Sequence, residues 1–236
     1  MTIPIKPLGG KAYGHIPHLP GSRLGPGDHK VPEGQGRICT HKTRDRHDQI
    51  FVQEKLDGSC VAVARINGVI QPLIRAGYPA ESSHHQQHRL FARWVWENHD
   101  RFLAVLGDGD RLCGEWLALA HGTRYQLPHD PFVAFDLMRG LERTPLDELL
   151  KRVALGNFVT PRIIHRGGPI SVDRVQLLLE PSGHGALDPV EGAVWRVERR
   201  GAVDFVAKWV RADKIDGCYL PDISGKEPVW NWIPGG

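Results

Sequence analysis

The segment EKLDGS occupies residues 54–59 and decides how the rest of the sequence is interpreted. It follows a β-branched stretch at residues 50–52, and its Asp-Gly pair is typical of a tight turn at the end of a strand. The turn presents the amine of Lys55 at a bend. Lysine is a weak nucleophile at its ordinary pKa of about 10.4, so catalysis would require desolvation or a neighbouring cation. A surface hairpin turn without a catalytic role is the alternative.

Six further segments are short and largely apolar, and several of them are rich in β-branched residues, a composition that predicts strands. They are residues 61–66, 70–74, 112–119, 132–137, 193–197 and 202–210. Serine and threonine at N-cap positions predict three helices. These run from Ser82 or Ser83 to about residue 106, from Thr144 (with Pro145 in the first turn) to about residue 155, and from Ser171 to residue 180. The pattern indicates an α+β fold of mostly antiparallel sheets flanked by helices.

Composition limits the class of protein. The chain has 236 residues, of which 41% are hydrophobic and 24% charged, and these values exclude a disordered chain. No apolar stretch approaches the ~20 residues that cross a bilayer, and the N-terminus lacks the features of a secretory signal. The four cysteines form no Cys-x-x-Cys pair, which argues against a zinc site or a disulfide framework. We therefore expect a cytoplasmic protein without a membrane partner.

Proline and glycine are concentrated in residues 1–36, which predicts an irregular N-terminal arm laid over the surface or partly mobile. Residues 37–236 contain no internal repeat and no second glycine-rich linker, so we expect a single domain there. The tail at residues 213–236 is rich in Trp and Pro and is too short for an OB-fold. Three histidines near residue 85 lack a nearby Cys or carboxylate, and we expect them to be solvated or locally hydrogen-bonded.

Charged residues recur inside the predicted apolar strands. Glu115 lies in the segment LCGEWL and Asp136 follows Phe135 in FVAFDL. Glu191 precedes a Gly-Ala-Val strand, and Lys208 lies in VAKWV. Carboxylates are rarely buried unless a metal, a hydroxyl or a basic group pairs with them. The pattern therefore indicates a polar site built from several strands.

The order of these motifs resembles the covalent nucleotidyltransferase superfamily of DNA ligases, RNA ligases and mRNA capping enzymes. Lys-x-Asp-Gly is followed by Gly-Glu, Phe-Asp, Glu-Gly-x-Val and a strand lysine, over roughly residues 50–215. DNA ligases and capping enzymes usually carry an arginine where this chain has Cys60. The first motif, and the segment around Arg75, are more similar to ATP-dependent RNA ligases. The resemblance implies an adenylation domain without an OB-fold that joins RNA 5′-phosphate and 3′-hydroxyl ends.

The resemblance also implies roles for the residues that bind ATP. Lys55 would form a covalent lysyl-AMP, and the backbone of Glu54 would read the adenine edge. Phe135 would stack on the base, with Phe132 on the opposite strand face as the alternative stacking residue. Glu115 would hold the ribose hydroxyls. A ring face over a base contributes roughly 1–3 kcal/mol.

The remaining roles concern the phosphates. Arg75 and Lys208 would supply positive charge, and Glu191 would bind Mg²⁺ or Mn²⁺ beside the triphosphate. Where the family usually carries Lys-x-Lys, this chain has one lysine only, and Arg211 or Lys214 is the candidate substitute. Two other functions stay open: a minimal DNA ligase core, and a catalytically reduced module that binds nucleic acid without sealing it.

Overall fold

Two antiparallel sheets form the framework of the computed structural model, which describes residues 5–235. In chain order the elements are α1 (Glu33–Thr40), β1 (Asp48–Lys55), β2 (Ser59–Ile66), β3 (Val69–Ile74), α2 (Gln86–Glu97), α3 (His99–Val105), β4 (Asp110–Trp116), β5 (Phe132–Arg139), β6 (Glu142–Arg143), α4 (Leu146–Leu155), β7 (Ile163–Gly167), α5 (Val172–Gln176), β8 (Gly192–Arg199), β9 (Ala202–Val210) and α6 (Pro221–Ser224). One sheet has the strand order β7-β1-β8-β9 and the other β3-β2-β4-β5-β6, with antiparallel pairing between these strands. The expected α+β fold class is confirmed.

The turn at residues 56–58 connects the two sheets. Strand β1 ends at Lys55 and pairs with β7 and β8, whereas β2 begins at Ser59 and pairs with β3 and β4. The alternative of a surface hairpin is therefore wrong, because the strands on either side of the turn do not pair with each other. Gly58 is required here, since a Cβ would lie 2.5 Å from the carbonyl oxygen of Trp116. The turn places Lys55 at the junction of the sheets.

The predicted long helix is divided into α2 and α3. Asn98 separates them with φ −110° and ψ 21°, and its side-chain amide donates to the carbonyl of Trp94. Helix α2 begins later than expected, at Gln86, because the Ser83 hydroxyl contacts Nδ1 of His88 instead of capping a helix. Both helices bury aromatic side chains against the five-stranded sheet.

Three N-caps were predicted, and only the one at Ser171 is correct. The Ser171 hydroxyl accepts a hydrogen bond from the amide of Arg174 and caps α5, although this helix ends at Gln176 rather than at residue 180. Thr144 does not cap α4, because the helix begins at Leu146 and its N-cap position is occupied by Pro145, which has no side-chain acceptor. The first helical amide, that of Leu146, donates instead to Oε1 of Glu198 from β8 (2.6 Å). Helix α4 is thus capped from the neighbouring sheet.

The main core lies between the five-stranded sheet and helices α2, α3 and α4. Its largest buried side chains include Phe91, Phe102, Trp116 and Phe132. A second core covers the four-stranded sheet and includes Trp195 of β8. No helix among the described residues is long and apolar enough to span a membrane.

The N-terminal segment packs against both sheets. Residues 5–32 are irregular apart from isolated bridges, and α1 begins at Glu33 within the predicted arm. Leu19 is fully buried in the second core, and its amide donates to the carbonyl of Lys208 (2.8 Å). The amide of Lys208 donates in turn to the carbonyl of Pro17 (2.9 Å), so the segment runs along strand β9. Its boundary with a separate domain at residue 36 stays a prediction.

Candidate active site

A cavity of about 590 Å³ is lined by strands of both sheets and by the N-terminal segment. Six of the seven site residues expected from the sequence line it: Glu54, Lys55, Arg75, Glu115, Phe135 and Lys208. The seventh, Glu191, contacts the amine of Lys55. The fold therefore brings all seven residues into one region.

Lys55 and Glu191 form a close ion pair. The Nζ atom of Lys55 lies 2.6 Å from Oε2 of Glu191, and the carboxylate residue is only 6% exposed. Burial alone lowers the pKa of Lys55, but the carboxylates of Glu191, Glu115 and Asp57 outweigh it and raise the pKa above its ordinary value. Burial raises the pKa of Glu191, and Lys55 opposes that effect. Without a ligand, the pair holds the lysine in its protonated form.

Glu115 lies beside the turn that follows Lys55. Its Oε1 atom accepts a hydrogen bond from the amide of Gly58 (2.9 Å). Burial raises the pKa of Glu115 to about 7, although the Lys55 ammonium and the Gly58 amide both oppose the shift. Near neutral pH this carboxyl group can therefore both accept and donate hydrogen bonds, which suits a contact with hydroxyl groups.

Phe135, and not Phe132, faces the cavity. Phe135 packs edge-on against Tyr13, with 5.0 Å between ring centroids, and is partly exposed. Phe132 is 1% exposed and belongs to the main core, where it contacts Phe91 and Trp94. The alternative in which Phe132 stacks on a base is wrong, because its side chain is enclosed on the other face of the strand.

Lys208 and Arg75 supply positive charge to the cavity. Burial and the neighbouring Lys55 ammonium lower the pKa of Lys208, while Asp28, 3.5 Å from its Nζ atom, opposes them. Asp28 also lies 3.0 Å from Nε2 of His18. Arg75 donates to the carbonyl of Gly14 (3.2 Å). Both cations are thus held in place by the N-terminal segment.

Neither candidate for the missing lysine lines the cavity. The Lys214 amine is buried and donates to Asp57 and to the Thr123 hydroxyl (2.8 Å). Arg211 pairs with Asp213 on the surface (2.7 Å). The expectation that one of them takes the place of the second lysine is wrong in this structure, because both are already engaged elsewhere. Lys214 instead holds the turn that follows Lys55.

Glu54 is tied to the four-stranded sheet through both its backbone and its side chain. Its amide donates to the carbonyl of Arg162 (2.9 Å). Its carboxylate, 2% exposed, accepts from the Ser182 hydroxyl (2.5 Å) and the Gly183 amide (2.8 Å). The carbonyl oxygen is the remaining polar atom of its backbone.

No sequence pattern indicated that the N-terminal segment supplies part of the cavity wall. Lys11 and His15 line the cavity, and both are exposed. No periodic pattern marks them, because the segment has no regular secondary structure. His88 also lines the cavity and is hydrogen-bonded by Ser59 (2.8 Å) and Ser83 (2.8 Å), as expected for a locally bonded histidine.

The arrangement of two antiparallel sheets flanked by helices is similar to the fold of solved RNA ligase structures. The chain belongs to the RNA ligase family, since residues 48–210 match the family model for RNA ligase. No curated protein sequence matches this chain significantly.

Solved structures of similar fold include three forms of the Naegleria gruberi RNA ligase. A mutant with ATP and Mn is 17% identical, with a TM-score of 0.54 over 89% of this chain and 61% of that one. A second mutant with ATP and Mn is 16% identical, with a TM-score of 0.54 over 83% and 59%. The form with PPi is 17% identical, with a TM-score of 0.52 over 76% and 53%. This chain therefore spans between half and two thirds of the length of these relatives.

Proposed function

We propose that the protein is an ATP-dependent RNA ligase that acts through a covalent AMP on Lys55 and joins RNA 5′-phosphate and 3′-hydroxyl ends. The observation that carries this proposal is the position of the Lys55 amine. It lies at the junction of two sheets, 2.6 Å from Glu191, beside a cavity of about 590 Å³. A cavity of this size falls in the range that holds small ligands.

The side chains around the cavity suit the parts of ATP. Phe135 offers a partly exposed ring for the adenine, and the carbonyl oxygen of Glu54 offers an acceptor for its amino group. The Glu115 carboxyl, with its pKa raised to about 7 by burial, suits the ribose hydroxyls. Arg75 and Lys208 provide cations for the phosphates. The cavity lining thus offers both an aromatic ring and cations.

The donor set also fits a divalent cation held jointly by protein and substrate. No cluster of three or more His, Cys, Asp or Glu among residues 5–235 is arranged to hold a metal by itself. Mg²⁺ is commonly bound by one or two carboxylates together with substrate phosphates, and Glu191 is the carboxylate placed beside Lys55. When bound, Mg²⁺ or Mn²⁺ would neutralise charge on the triphosphate.

The chemistry of the first step requires Lys55 to lose a proton. While Glu191 is paired with the Lys55 ammonium, it raises the pKa of Lys55 and opposes loss of the proton. If the Glu191 carboxylate bound a divalent cation instead, the neutral amine of Lys55 would be favoured. The Lys55 nitrogen then bonds to the α-phosphorus as the bond from that phosphorus to the bridging oxygen breaks, and pyrophosphate leaves. AMP remains as a phosphoamide. Catalysis here depends on in-line positioning and charge neutralisation.

Two further transfers would complete sealing. An oxygen of the RNA 5′-phosphate would displace Lys55 from the AMP phosphorus and restore the free amine. The RNA 3′-hydroxyl, losing its proton, would then attack the adenylylated 5′-phosphate and release AMP. Lys55 is close enough to Lys208 to lower the pKa of Lys208, and this proximity supports a role for Lys208 in stabilising phosphate in each transfer.

The test is covalent labelling. The protein incubated with ATP and Mg²⁺ should gain the mass of one AMP, and Lys55→Ala should gain none. Lys42→Ala, at an exposed lysine outside the cavity, is the matched control and should label normally. Labelled protein should then seal nicked duplex RNA faster than nicked DNA. Faster sealing of nicked DNA would favour the alternative of a minimal DNA ligase core. Absence of AMP label from the unaltered protein would refute the proposal.

A further inference from the structure

The N-terminal segment places a group of basic side chains in the wall of the cavity. Lys11 and His15 are exposed and line the cavity together with Arg75. Arg75, then burial, then Lys11 lower the pKa of His15, so the three side chains are close enough to repel one another. Within residues 5–235, no carboxylate forms an ion pair with any of the three; Asp28, whose charge opposes the lowering of the His15 pKa, is paired with His18 and Lys208. This combination suits an anionic ligand.

The backbone that carries these side chains is firmly anchored. The amides of Ala12 and Tyr13 both donate to the carbonyl of Arg75 (3.0 and 3.3 Å). The Arg111 side chain donates to the carbonyl of Ala12 (2.8 Å), and the Tyr13 hydroxyl donates to Asp136 (2.5 Å). Ala12 is fully buried and Tyr13 nearly so. The group is therefore presented from a rigid wall of the cavity rather than from a loose terminus.

A further close approach fixes the segment next to Arg75. Gly77 has φ +91°, and a Cβ there would lie 1.9 Å from the carbonyl oxygen of Gly10. Only glycine permits the two backbones to approach this closely. The segment is therefore packed against Gly77 just before it reaches Lys11. This contact fixes the position of Lys11 relative to Arg75.

We propose that Lys11 and His15 bind the β- and γ-phosphates of ATP and position pyrophosphate as the leaving group. This inference rests on the proposed function. An RNA strand spreads its charges along its length, whereas these groups are gathered at one point near the nucleophile, which suits a compact polyanion. Binding there would hold the scissile bond in line with Lys55. The two residues are needed when lysyl-AMP forms, but not when pre-adenylylated RNA is sealed.

The first experiment measures binding without chemistry. In a Lys55→Ala background, calorimetry compares ATP with AMP for the Lys11→Ala/His15→Ala variant. The expected result is about tenfold weaker binding of ATP and unchanged binding of AMP. Lys30→Ala, an exposed lysine of the same segment outside the cavity, should change neither affinity. An unchanged ATP affinity, or equal losses for ATP and AMP, would overturn the inference.

The second experiment separates the steps in protein with Lys55 intact. Lys11→Ala/His15→Ala should raise the ATP concentration for half-maximal lysyl-AMP formation about tenfold and leave the sealing of pre-adenylylated nicked RNA unchanged. Loss of sealing with normal lysyl-AMP formation would assign the group to RNA and overturn the inference. If unaltered protein bound ATP but formed no lysyl-AMP, the proposed function would fail, while the calorimetric comparison would still decide the role of the two residues.

Discussion

Glu191 is held beside Lys55 by strand pairing, although 136 residues separate the two in sequence. Lys55, the last residue of β1, pairs with Gly192, the first residue of β8, and the 2.6 Å contact follows from this register. The pair keeps the lysine protonated in the free protein, because Glu191 contributes to raising its pKa. Reactivity of Lys55 is thereby linked to whatever engages the Glu191 carboxylate.

Glu191→Gln distinguishes two effects of that carboxylate. If Glu191 served only to keep Lys55 protonated, the substitution would accelerate lysyl-AMP formation. If it helps bind Mg²⁺ beside the triphosphate, as we propose, the rate should fall about 100-fold, equivalent to about 2.7 kcal/mol. Single-turnover labelling over a range of Mg²⁺ and Mn²⁺ concentrations measures this. The loss should be smaller at high metal concentration, and an unchanged rate at limiting metal would contradict the proposed role.

Phe135→Ala and Phe132→Ala form a matched pair on one strand. Phe132 is enclosed in the main core, so its truncation should cost about 3–5 kcal/mol of unfolding free energy. Phe135 is partly exposed, so its truncation should cost less stability but weaken ATP binding by roughly 1–3 kcal/mol. Urea denaturation and ATP titration of the two variants measure these effects. Equal losses of ATP affinity in both would show that Phe135 does not stack on the base.

Much of the site was predictable because its motifs lie in strands, where β-branched runs fix which segments are extended. The positions of Lys55 and Lys208 within strands followed from such runs, and the position of Glu115 followed from a short apolar segment. Their strand partners did not, because pairing depends on contacts between distant parts of the chain. The hairpin alternative after Lys55 was wrong for this reason, since both segments are strands but lie in different sheets.

Of the other differences, two depend on distant contacts and one is local. Glu198 caps α4 from a strand that follows 52 residues later, so the local Thr-Pro signal gave the wrong cap. Asn98 ends α2 by bonding to its own helix within an otherwise continuous apolar pattern. The cavity wall formed by Lys11 and His15 depends on backbone bonds to Arg75, and an irregular segment carries no periodic signal that would reveal them.

Glu115→Gln should change how stability depends on pH. Burial raises the pKa of Glu115 from 4.5 to about 7, so between these values the folded protein binds more protons than the unfolded chain. Its contribution to the unfolding free energy therefore falls as pH rises through that range. Glutamine has no such dependence, so the variant should gain stability relative to the unaltered protein, by up to about 3 kcal/mol between pH 4.5 and pH 8.

Urea denaturation of the ligand-free proteins at several pH values measures that difference. Glu191 and Glu198 also have raised pKa values from burial, but both are present in each protein and largely cancel in the comparison. Glu81→Gln, at an exposed carboxylate, should show no such trend. If the difference in unfolding free energy between Glu115→Gln and the unaltered protein stayed constant from pH 4.5 to pH 8, burial would not raise the pKa of Glu115.

The buried pair of Lys214 and Asp57 should stabilise the turn that carries Lys55. Asp57 also accepts from the Gly122 amide (2.7 Å), and its own amide donates to the Tyr125 hydroxyl (3.0 Å). Lys214→Met would leave the Asp57 carboxylate without its cation. Removing one partner of a buried ion pair lowers the unfolding free energy by about 3–5 kcal/mol, and we expect a loss of this size. Asp57→Asn should be similarly costly, because the Lys214 side chain is only 3% exposed.

Lys214→Met combined with Asp57→Asn should therefore cost less than the sum of the two single substitutions, with a coupling energy of about 2 kcal/mol in urea denaturation. The variant Lys214→Met should also form lysyl-AMP more slowly at temperatures where it remains fully folded, because the turn no longer holds the Lys55 amine in line with the α-phosphate. Lys226→Met, at an exposed lysine of the tail, is the matched control. Additive losses of stability, together with a normal labelling rate in folded Lys214→Met, would show that Lys214 has no part in positioning Lys55.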